Sequence, residues 1–418
     1  MLDINRIIEQ KEVVRAALLK RLPPEKLDPA LDAAIQLDAE RRRLIGEVDQ
    51  LKSERNAHSK TKPTPEVIAE MKKVGEAIKK LDEELKAVEG KLNEVMAALP
   101  NLPADDVLPG GKENNQIVRS FGKKPVFKFT PKDHVDLATS LNIIDYERAV
   151  KMSGNGFWLY RGLGAELEWA LLNYFVDFHR SNGYTFILPP YLLTEQSAYT
   201  SGHLPKFRDD LFWTEDRLCL NATSEMMIGN YHRDEILDEK SLPLKYYAYS
   251  ACFRREAGSY RKEERGMIRG HQFNKIEMFQ FVKPGDSAKA LEELVKNAEK
   301  LVDGLGLCFQ TVQLAAEDAS AAMAKTLDIE VWIPSMNIFK EVSSASNALD
   351  YQARRGSIRY KDAATGKNEF VHTLNASGLA TSRLVPAILE QFQQKDGSVE
   401  IPKVLRKYMG GVKKISIK

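Results

Sequence analysis

The first hundred residues carry a regular spacing of apolar positions. Between residues 67 and 99, these positions recur at alternating steps of four and three residues without interruption. They are Val67, Met71, Val74, Ile78, Leu81, Leu85, Val88, Leu92, Val95 and Leu99. The spacing is typical of a coiled-coil helix, in which one apolar seam repeats every 3.5 residues on average.

A second long helix is predicted immediately before this one. A less regular four-three series runs over Ala30, Ala34, Leu37, Arg41, Leu44, Val48, Leu51 and Arg55. Between the two series, Thr64 suits a helix N-cap and Pro65 suits the first helical position. Two such helices joined by a short turn predict an antiparallel coiled-coil hairpin over about residues 28–98, within an N-terminal domain of residues 1–105.

Basic residues are frequent around the predicted turn of the hairpin. They are Lys52, Arg55, His58, Lys60 and Lys62, followed by Lys72, Lys73, Lys79 and Lys80. Such charges suit contacts with nucleic-acid phosphates, which position a partner without reading its bases. They equally suit the solvated face of a dimerisation or spacer arm, so the sequence leaves both interpretations open.

The chain changes character after this region. Residues 106–120 are rich in Pro, Gly, Asp and Asn and are predicted to be a linker. Beyond them, strands are predicted at 185–190, 242–253, 275–282 and 329–336, and helices near 164–182, 287–304 and 379–393. Strands that follow one another without a long crossover helix favour an antiparallel sheet. Residues 121–418 are therefore predicted to form an α+β domain with helices on one side of the sheet.

Composition narrows the class of protein. Of 418 residues, 43% are hydrophobic and 29% are charged, and the net charge of +2 neither requires nor excludes a nucleic-acid partner. The three cysteines, Cys219, Cys252 and Cys308, are too few and too widely spaced for a disulfide framework or a cysteine zinc site, so a reducing cytoplasm is expected. The chain contains neither GxGxxG nor GxxxxGK[ST], and no apolar run long enough to span a membrane.

The richest polar segment follows the strand predicted at 242–253. Its candidate binding residues are Arg254, Arg255 and Glu256, and then Phe273 and Glu277 in the next strand. An arginine at a strand end can bind a phosphate through two nitrogens. The glutamate could accept from an exocyclic amine, and the phenylalanine ring could stack on a base. The alternative interpretation is an edge hairpin with solvated charges.

Two further segments hold candidate ligands for a small zwitterion and for a cation. Thr223 and Glu225 could bind a polar end and an ammonium group, although Thr223 or Ser224 would also suit a helix N-cap. In a regular strand, Glu341 and Ser344 lie on opposite faces. A bend or bulge would therefore be needed to aim both at one Mg²⁺ ion, and the alternative is an ordinary polar strand end.

A fourth segment, residues 375–383, opens a predicted helix with small residues. Small residues would allow the backbone to approach a ligand closely. Arg383 lies in the first helical turn, where the helix dipole disfavours a cation, and an anionic ligand would offset that cost. The alternative interpretation is a plain polar turn with a solvent-exposed arginine.

Taken together, the four segments resemble the bacterial-type seryl-tRNA synthetases, a family of class II aminoacyl-tRNA synthetases. CFRREAG…RGMIRGHQFNKIEMFQF is similar to class II motif 2, LNASGLATSRLVPAILEQF to motif 3, and GLGAELEWALLNYFVDFHRSNGYTFILPP to motif 1. NATSE resembles the serine-binding Thr-x-Glu of that family. The resemblance covers essentially the whole chain. It implies a class II antiparallel sheet flanked by helices, with the hairpin serving as a tRNA-binding arm.

The resemblance also implies an activity and its residues. It implies a homodimer that activates L-serine with Mg²⁺ and ATP, and then charges tRNA(Ser) and also tRNA(Sec). The implied catalytic residues are Arg254 and Arg383, and the implied serine-binding residues are Thr223, Ser224, Glu225, Glu277 and Ser377. The implied ATP-binding residues are Arg254, Arg255, Glu256, Phe273, Glu341, Val342, Ser343, Ser344 and Arg383, with Glu341 and Ser344 also holding the metal. No zinc and no membrane partner are expected.

Some positions depart from the family pattern. Thr381 and Ser382 replace Val-Gly before Arg383, and the loop with Tyr260 and Lys262 differs from the usual Gly-rich form. Two alternative functions stay open: a relative that loads a carrier protein with an amino acid, and an RNA-binding relative without catalysis. The predicted arm argues against the first, and the retained arginines and carboxylates argue against the second.

Overall fold

Two units make up the chain, the helical unit Met1–Leu102 and the sheet unit Pro103–Lys418. The computed structural model describes residues 1–58, 64–256 and 266–416. The helices of the helical unit are α1 Ile4–Glu9, α2 Lys11–Leu18, α3 Pro24–His58 and α4 Pro65–Ala98. Helices α3 and α4 pack against each other as a long hairpin, which confirms the predicted arm.

Helix α4 follows the predicted seam closely. Every predicted seam position from Val67 to Leu99 is buried or half-buried, whereas the neighbouring Ile68 is exposed. The predicted cap is also present, because the Thr64 hydroxyl accepts a hydrogen bond from the Val67 amide at 3.4 Å. Local sequence alone therefore determines both the start and the buried face of this helix.

Helix α3 departs from the prediction near its start. Leu27, Leu31 and Asp38 are buried there although the seam did not include them, and the predicted Ala30 and Leu37 are only half-buried. The predicted Ala34 is buried. Helices α1 and α2 also pack against α3, so this part of α3 faces three helices instead of one. A heptad pattern describes a single partner, which is why it fails where the partners multiply.

Asp38 is a carboxylate buried within the helical unit. It accepts hydrogen bonds from Arg41 Nη2 at 2.7 Å and from Arg42 Nε at 2.6 Å. Burial alone would raise the pKa of Asp38, but the two arginines outweigh burial and hold that pKa below its usual value. The charged form therefore stabilises the folded helices above the ordinary aspartate pKa, and this contribution is lost as the pH falls.

Among the described residues, the sheet unit is built around one large sheet of eight strands. They are β1 Gln116–Phe121, β2 Thr185–Ile187, β3 Leu244–Phe253, β4 Gln272–Val282, β5 Phe309–Gln313, β6 Lys325–Ile333, β7 Ile338–Leu349 and β8 His372–Ala380. Their spatial order is β1-β5-β6-β7-β8-β4-β3-β2. All neighbouring pairs of this sheet are antiparallel except β2 and β3, so the predicted antiparallel α+β fold is confirmed.

Helices cover both faces of the sheet. They are α5 His134–Ser140, α6 Tyr146–Ser153, α7 Leu163–Ser181, α8 Glu195–Thr200, α9 Glu225–Ile228, α10 Ser287–Leu305, α11 Tyr351–Arg355 and α12 Thr381–Gln391. The long helices α7, α10 and α12 pack on the face to which Ile276 and Met278 of β4 contribute. The alternate residues Phe279 and Phe281 join a second apolar cluster with residues of α9 and α11. The expectation of helices on one side is thus correct for the long helices only.

Short strands complete the sheet unit. Ile144–Asp145 pairs with Leu159–Tyr160, Leu192–Thr194 with Leu218–Leu220, Val399–Glu400 with Lys414–Ile415, and Arg359–Lys361 with both Ile236–Asp238 and Asn368–Phe370. Among the described residues, no helix is both long and apolar enough to cross a membrane.

The predicted linker over 106–120 needs a correction. Its last residues belong to strand β1, which pairs with β5 at the edge of the large sheet. The preceding loop is tied to the same unit, because the amides of Ala316 and Glu317 donate to the carbonyls of Leu108 and Gly110 at 2.9 Å. An edge strand exposes most of its side chains, so β1 lacks the apolar alternation that would have revealed it.

Candidate active site

A polar cavity of about 390 Å³ opens on one face of the large sheet. Lys275 and Glu277 of β4 line it, whereas the alternate residues Ile276 and Met278 belong to the core beneath α7, α10 and α12. The predicted site residues on its wall are Thr223, Glu225, Arg254, Glu256, Glu277, Glu341, Ser344 and Ser377. All four polar segments identified in the sequence therefore contribute to one cavity.

A smaller cavity of about 50 Å³ adjoins the first. Its wall shares some residues with the larger cavity and adds Phe273, Val342 and Arg383. Arg254 and Glu341 belong to both walls, so a single elongated ligand can extend from one cavity into the other. A cleft with an apolar ring at one end and converging charges at the other is typical of a site for a small polar ligand.

Three predicted residues lie elsewhere. Ser224 is fully buried, and its hydroxyl is 2.8 Å from that of Ser250. Ser343 is also buried and donates a hydrogen bond to the Ser377 carbonyl at 2.5 Å. Arg255 has an exposed side chain, because side chains of successive residues point in opposite directions where the chain leaves β3. The loop with Tyr260 and Lys262 lies outside the described residues.

Lys275 is a buried cation that the sequence reading missed. Its ammonium donates to Thr223 Oγ1 at 2.6 Å and to Ser377 Oγ at 3.3 Å, and it forms an ion pair with Glu277. The ion pair compensates two charges that are each at most 5% exposed. Strand alternation contains the missing signal, because Phe273, Lys275 and Glu277 occur at steps of two and share one face.

Glu225 is the first residue of α9, and the residue before it, Ser224, is buried. Its Oε1 accepts a hydrogen bond from Gln352 Nε2 at 2.7 Å. Burial and the neighbouring Glu277 charge raise the pKa of Glu225 to about 7. The carboxyl is therefore poised to become fully charged when a cation approaches it.

Arg254 follows the end of β3, as the sequence predicted. Its guanidinium lies 5.3 Å from the centre of the Phe273 ring, and its Nε donates to the Ala222 carbonyl at 3.3 Å. Glu256 has a positive φ of 52° and accepts a hydrogen bond from Arg269 Nε at 2.6 Å. Arg269 was not among the predicted site residues, although it lies in both cavity walls.

A β-bulge at Val342 brings Glu341 and Ser344 to the same face. Ser343 pairs with Ile329 of β6 and Glu341 pairs with Glu330, so Val342 is the extra residue. The bulge that the sequence argument required is therefore present. Arg383 Nη1 donates to the Glu341 backbone carbonyl at 2.8 Å and to its carboxylate at 3.2 Å.

Asp328 lies opposite Ser344 in the neighbouring strand. It is 7% exposed, hydrogen-bonds with Ser344, and has no partner for Oδ1 among the described residues. Burial and the Glu341 charge raise the pKa of Asp328 well above its usual value. Carboxylate and hydroxyl oxygens converging on one face are the donors that Mg²⁺ prefers, so these residues fit a magnesium ion.

Comparisons with known proteins identify the family of the chain. Residues 1–103 match the family profile "Seryl-tRNA synthetase N-terminal domain", and residues 207–392 match "tRNA synthetase class II core domain (G, H, P, S and T)". A serine–tRNA ligase 2 of Clostridium acetobutylicum is 54% identical, over 98% of this chain and 99% of that protein. The chain belongs to the seryl-tRNA synthetase family. A serine–tRNA ligase of Geobacter sulfurreducens is 46% identical, over 99% of this chain and all of that protein.

A solved structure supports the same assignment. The seryl-tRNA synthetase from Pyrococcus horikoshii complexed with ATP has a TM-score of 0.92 and 35% identity, and the match covers all of both chains. The resemblance stated from the motifs is thus confirmed for the whole length of the chain. The roles of individual residues remain predictions.

In motif 3 of this seryl-tRNA synthetase family member, the small residue Gly378 has a different role from the one predicted, which was to let the backbone approach a ligand. A Cβ on Gly378 would lie 2.4 Å from His179 Nε2, so this glycine accommodates a buried histidine of α7 and not a ligand. The next residue, Leu379, has a φ of 90°, and the register of β8 against β4 shifts between Ser377 and Ala380. The strand ends at Ala380 and α12 begins at Thr381, so Arg383 lies in the first turn of the helix.

Proposed function

We propose that this chain is a serine–tRNA ligase that forms seryl-adenylate from L-serine and ATP and then transfers serine to tRNA(Ser). One observation carries the proposal: a polar cavity holding Glu225 and Glu277 continues into a cavity holding Arg254, Phe273 and Arg383. The first cavity suits a small zwitterion with a hydroxyl, and the second suits a nucleotide.

Serine would bind in the larger cavity. The Glu225 carboxylate takes the ammonium group, and Thr223 stands two residues before it on the same wall. Glu277 and Ser377 take the serine hydroxyl, since their side chains already share a hydrogen bond of 3.4 Å. Lys275 forms an ion pair with Glu277, which compensates the buried charge of this carboxylate.

ATP would bind with its adenine beside Phe273 and with Glu256 near the exocyclic amine. Arg254 lies where the two cavities meet, so it can contact both the α-phosphate and the serine carboxylate. A serine carboxylate oxygen attacks the α-phosphorus, and the bond to pyrophosphate breaks. Arg254 and Arg383 stabilise the charge that develops on the phosphates, so no protein nucleophile is required.

Glu341 and Ser344 would hold Mg²⁺, with Asp328 supporting Ser344 from the neighbouring strand. The bound ion would supply neutralisation of phosphate charge. The fit rests on the oxygen donors that the bulge at Val342 places on one face.

The transfer step needs tRNA as a second substrate. A terminal ribose hydroxyl attacks the carbonyl carbon of seryl-adenylate, and AMP leaves. The helical unit would bind the tRNA through exposed cations such as Arg55, Lys72 and Lys79. The side chain of His58 and residues Lys60 and Lys62 lie outside the described residues. Charging of tRNA(Sec) stays a prediction from the family resemblance.

A homodimer is proposed on the side of the sheet where β2 forms the edge. Trp169 of α7 is 55% exposed and Leu188 after β2 is 71% exposed. The Phe186 ring stacks on the Tyr247 ring of β3, with 4.7 Å between the ring centres. The Trp169 and Tyr249 ring centres are 6.0 Å apart. These exposed apolar side chains at one sheet edge favour burial against a second copy of the chain.

The deciding experiment is serine-dependent exchange of pyrophosphate into ATP, followed by charging of serine tRNA. A buried site that hydrogen-bonds a hydroxyl should reject alanine by about 10⁴-fold or more. Exchange supported equally by alanine and serine would contradict the serine site. Exchange without any tRNA charging, combined with loading of a carrier protein, would favour the alternative function.

A further inference from the structure

We propose that Gln352 of α11 is a positioning residue that orients the Glu225 carboxylate toward the ammonium group of the amino-acid substrate. The proposal rests on the proposed function and extends it to a residue outside the motifs of the sequence analysis. Gln352 is 1% exposed, so it acts on the substrate only through Glu225 and the cavity wall.

Three hydrogen bonds fix the Gln352 amide. Its Nε2 donates to Glu225 Oε1 at 2.7 Å and to the Ser201 carbonyl at 2.9 Å. Its Oε1 accepts from Thr373 Oγ1 of β8 at 2.7 Å. Ser201 and Glu225 both line the larger cavity, so one amide group is hydrogen-bonded to two of the lining residues.

The hydrogen-bond pattern also determines which way the amide points. Of the two neighbours of Nε2, the Ser201 carbonyl can only accept, and the Glu225 carboxylate can only accept when it is ionised. A rotated amide would place its own oxygen against these two acceptors and lose both bonds. The donor end of Gln352 is therefore fixed toward Glu225, and this is the arrangement that stabilises a charged carboxylate.

The charges around Glu225 make this donor important. Glu277 on β4 opposes ionisation of Glu225, whereas Lys275 on β4 and Arg254 beyond β3 favour it. Burial and then the Glu277 charge raise the pKa of Glu225 to about 7, and the Gln352 donor acts in the opposite direction. Loss of the donor should leave Glu225 less charged and less well aimed at neutral pH.

The first test is Gln352→Met in the full-length protein, which keeps the side-chain length and removes the amide. A hydrogen bond to a charged group predicts a rise in KM for serine of about ten- to a hundredfold, with a much smaller change in kcat and in KM for ATP. The acid limb of kcat/KM for serine should move to higher pH. Gln352→Glu should move it further, because it places a second carboxyl against Glu225.

Gln391→Met is the matched control. Gln391 is a buried amide of α12 that donates to the Trp332 carbonyl and accepts from the Cys308 amide, both at 2.8 Å. The Gln391→Met variant should lower the thermal midpoint about as much as Gln352→Met does, but it should leave KM for serine unchanged. If both variants change KM for serine alike, the effect comes from general destabilisation and the proposal is wrong.

A binding measurement separates positioning from other roles. The probes are the non-hydrolysable sulfamoyl analogue of seryl-adenylate and the same compound with a hydroxyl in place of the α-amine. Gln352→Met should weaken binding of the first by about tenfold or more and leave the second nearly unchanged. Equal weakening of both analogues would overturn the proposal. If the unaltered protein shows no serine-dependent exchange, the proposed function itself fails, and that outcome is distinct from a failure confined to Gln352.

Discussion

The helical unit and the sheet unit place their charged residues differently. In the helical unit, charges such as Arg55, Lys72 and Lys79 are exposed, and Asp38 is a buried exception. In the sheet unit, Lys275 and Glu277 are almost fully buried and bonded to their neighbours. Exposed charges suit a large partner that arrives with its own counterions, whereas buried charges suit a small ligand whose groups must be matched one by one.

The two units also differ in the sequence distance over which their contacts form. The seam of α4 repeats within a few residues, and its cap joins residues three apart. In the cavity, Lys275 bonds with Thr223 and Ser377, which are 52 and 102 residues away. Changes in the helical unit should therefore act locally and add up, whereas changes in the cavity should disturb several partners together.

Removal of residues 1–102 should distinguish the functions of the two units most clearly. The sheet unit has its own core, so serine-dependent pyrophosphate exchange should stay near the level of the full chain. Charging of serine tRNA should fall by about 10³-fold, because the phosphate contacts of the arm are lost. Both rates can be measured on the same preparation. Full charging by the shortened protein would make the arm a spacer.

Arg254→Ala should reduce pyrophosphate exchange by about 10²–10³-fold, since it removes a cation aimed at the reacting phosphate. The fold should survive, because the Arg254 side chain is only half-buried and its hydrogen bond to the Ala222 carbonyl is long, at 3.3 Å. Arg255→Ala should cost far less, as its side chain is exposed away from the cavity. Similar losses in the two variants would show that Arg254 is not the specific phosphate contact.

Acidification should affect the sheet unit through Glu225. The pKa of this carboxyl is raised to about 7, and its charged form binds the ammonium group, so the charge is lost as the pH falls through 7. We expect kcat/KM for serine to fall about tenfold per pH unit below that point. KM for ATP, measured over the same range, is the control. A flat serine profile between pH 6 and 8 would exclude Glu225 as the titrating ligand.

Single lysines of the helical unit should have the smallest effects. Lys72→Ala or Lys79→Ala should each reduce the slope of log affinity for tRNA against log salt by at most about one unit. Lys91, exposed near the other end of α4, is the matched control and should leave the slope unchanged. Equal effects at all three positions would indicate that tRNA is attracted by the overall positive charge and not by a defined binding face.

Sequence reasoning was most successful where structure is local. The seam, the Thr64 cap and the strand bearing Glu277 are encoded by residues a few positions apart. It missed Lys275, Arg269 and Gln352, whose roles depend on partners far along the chain. The family resemblance also implied a ligand role for Ser343, whose hydroxyl instead donates to the Ser377 carbonyl.

The extra residue at Val342 has a consequence for how this gene can change over time. Because side chains of a strand alternate, Glu341 and Ser344 share a face only while one residue is left unpaired between them. A point substitution in β7 alters one contact, but loss or gain of one codon there exchanges the faces of every residue that follows. Variation at this strand should therefore be confined to replacements, and libraries that change its length should contain almost no active clones.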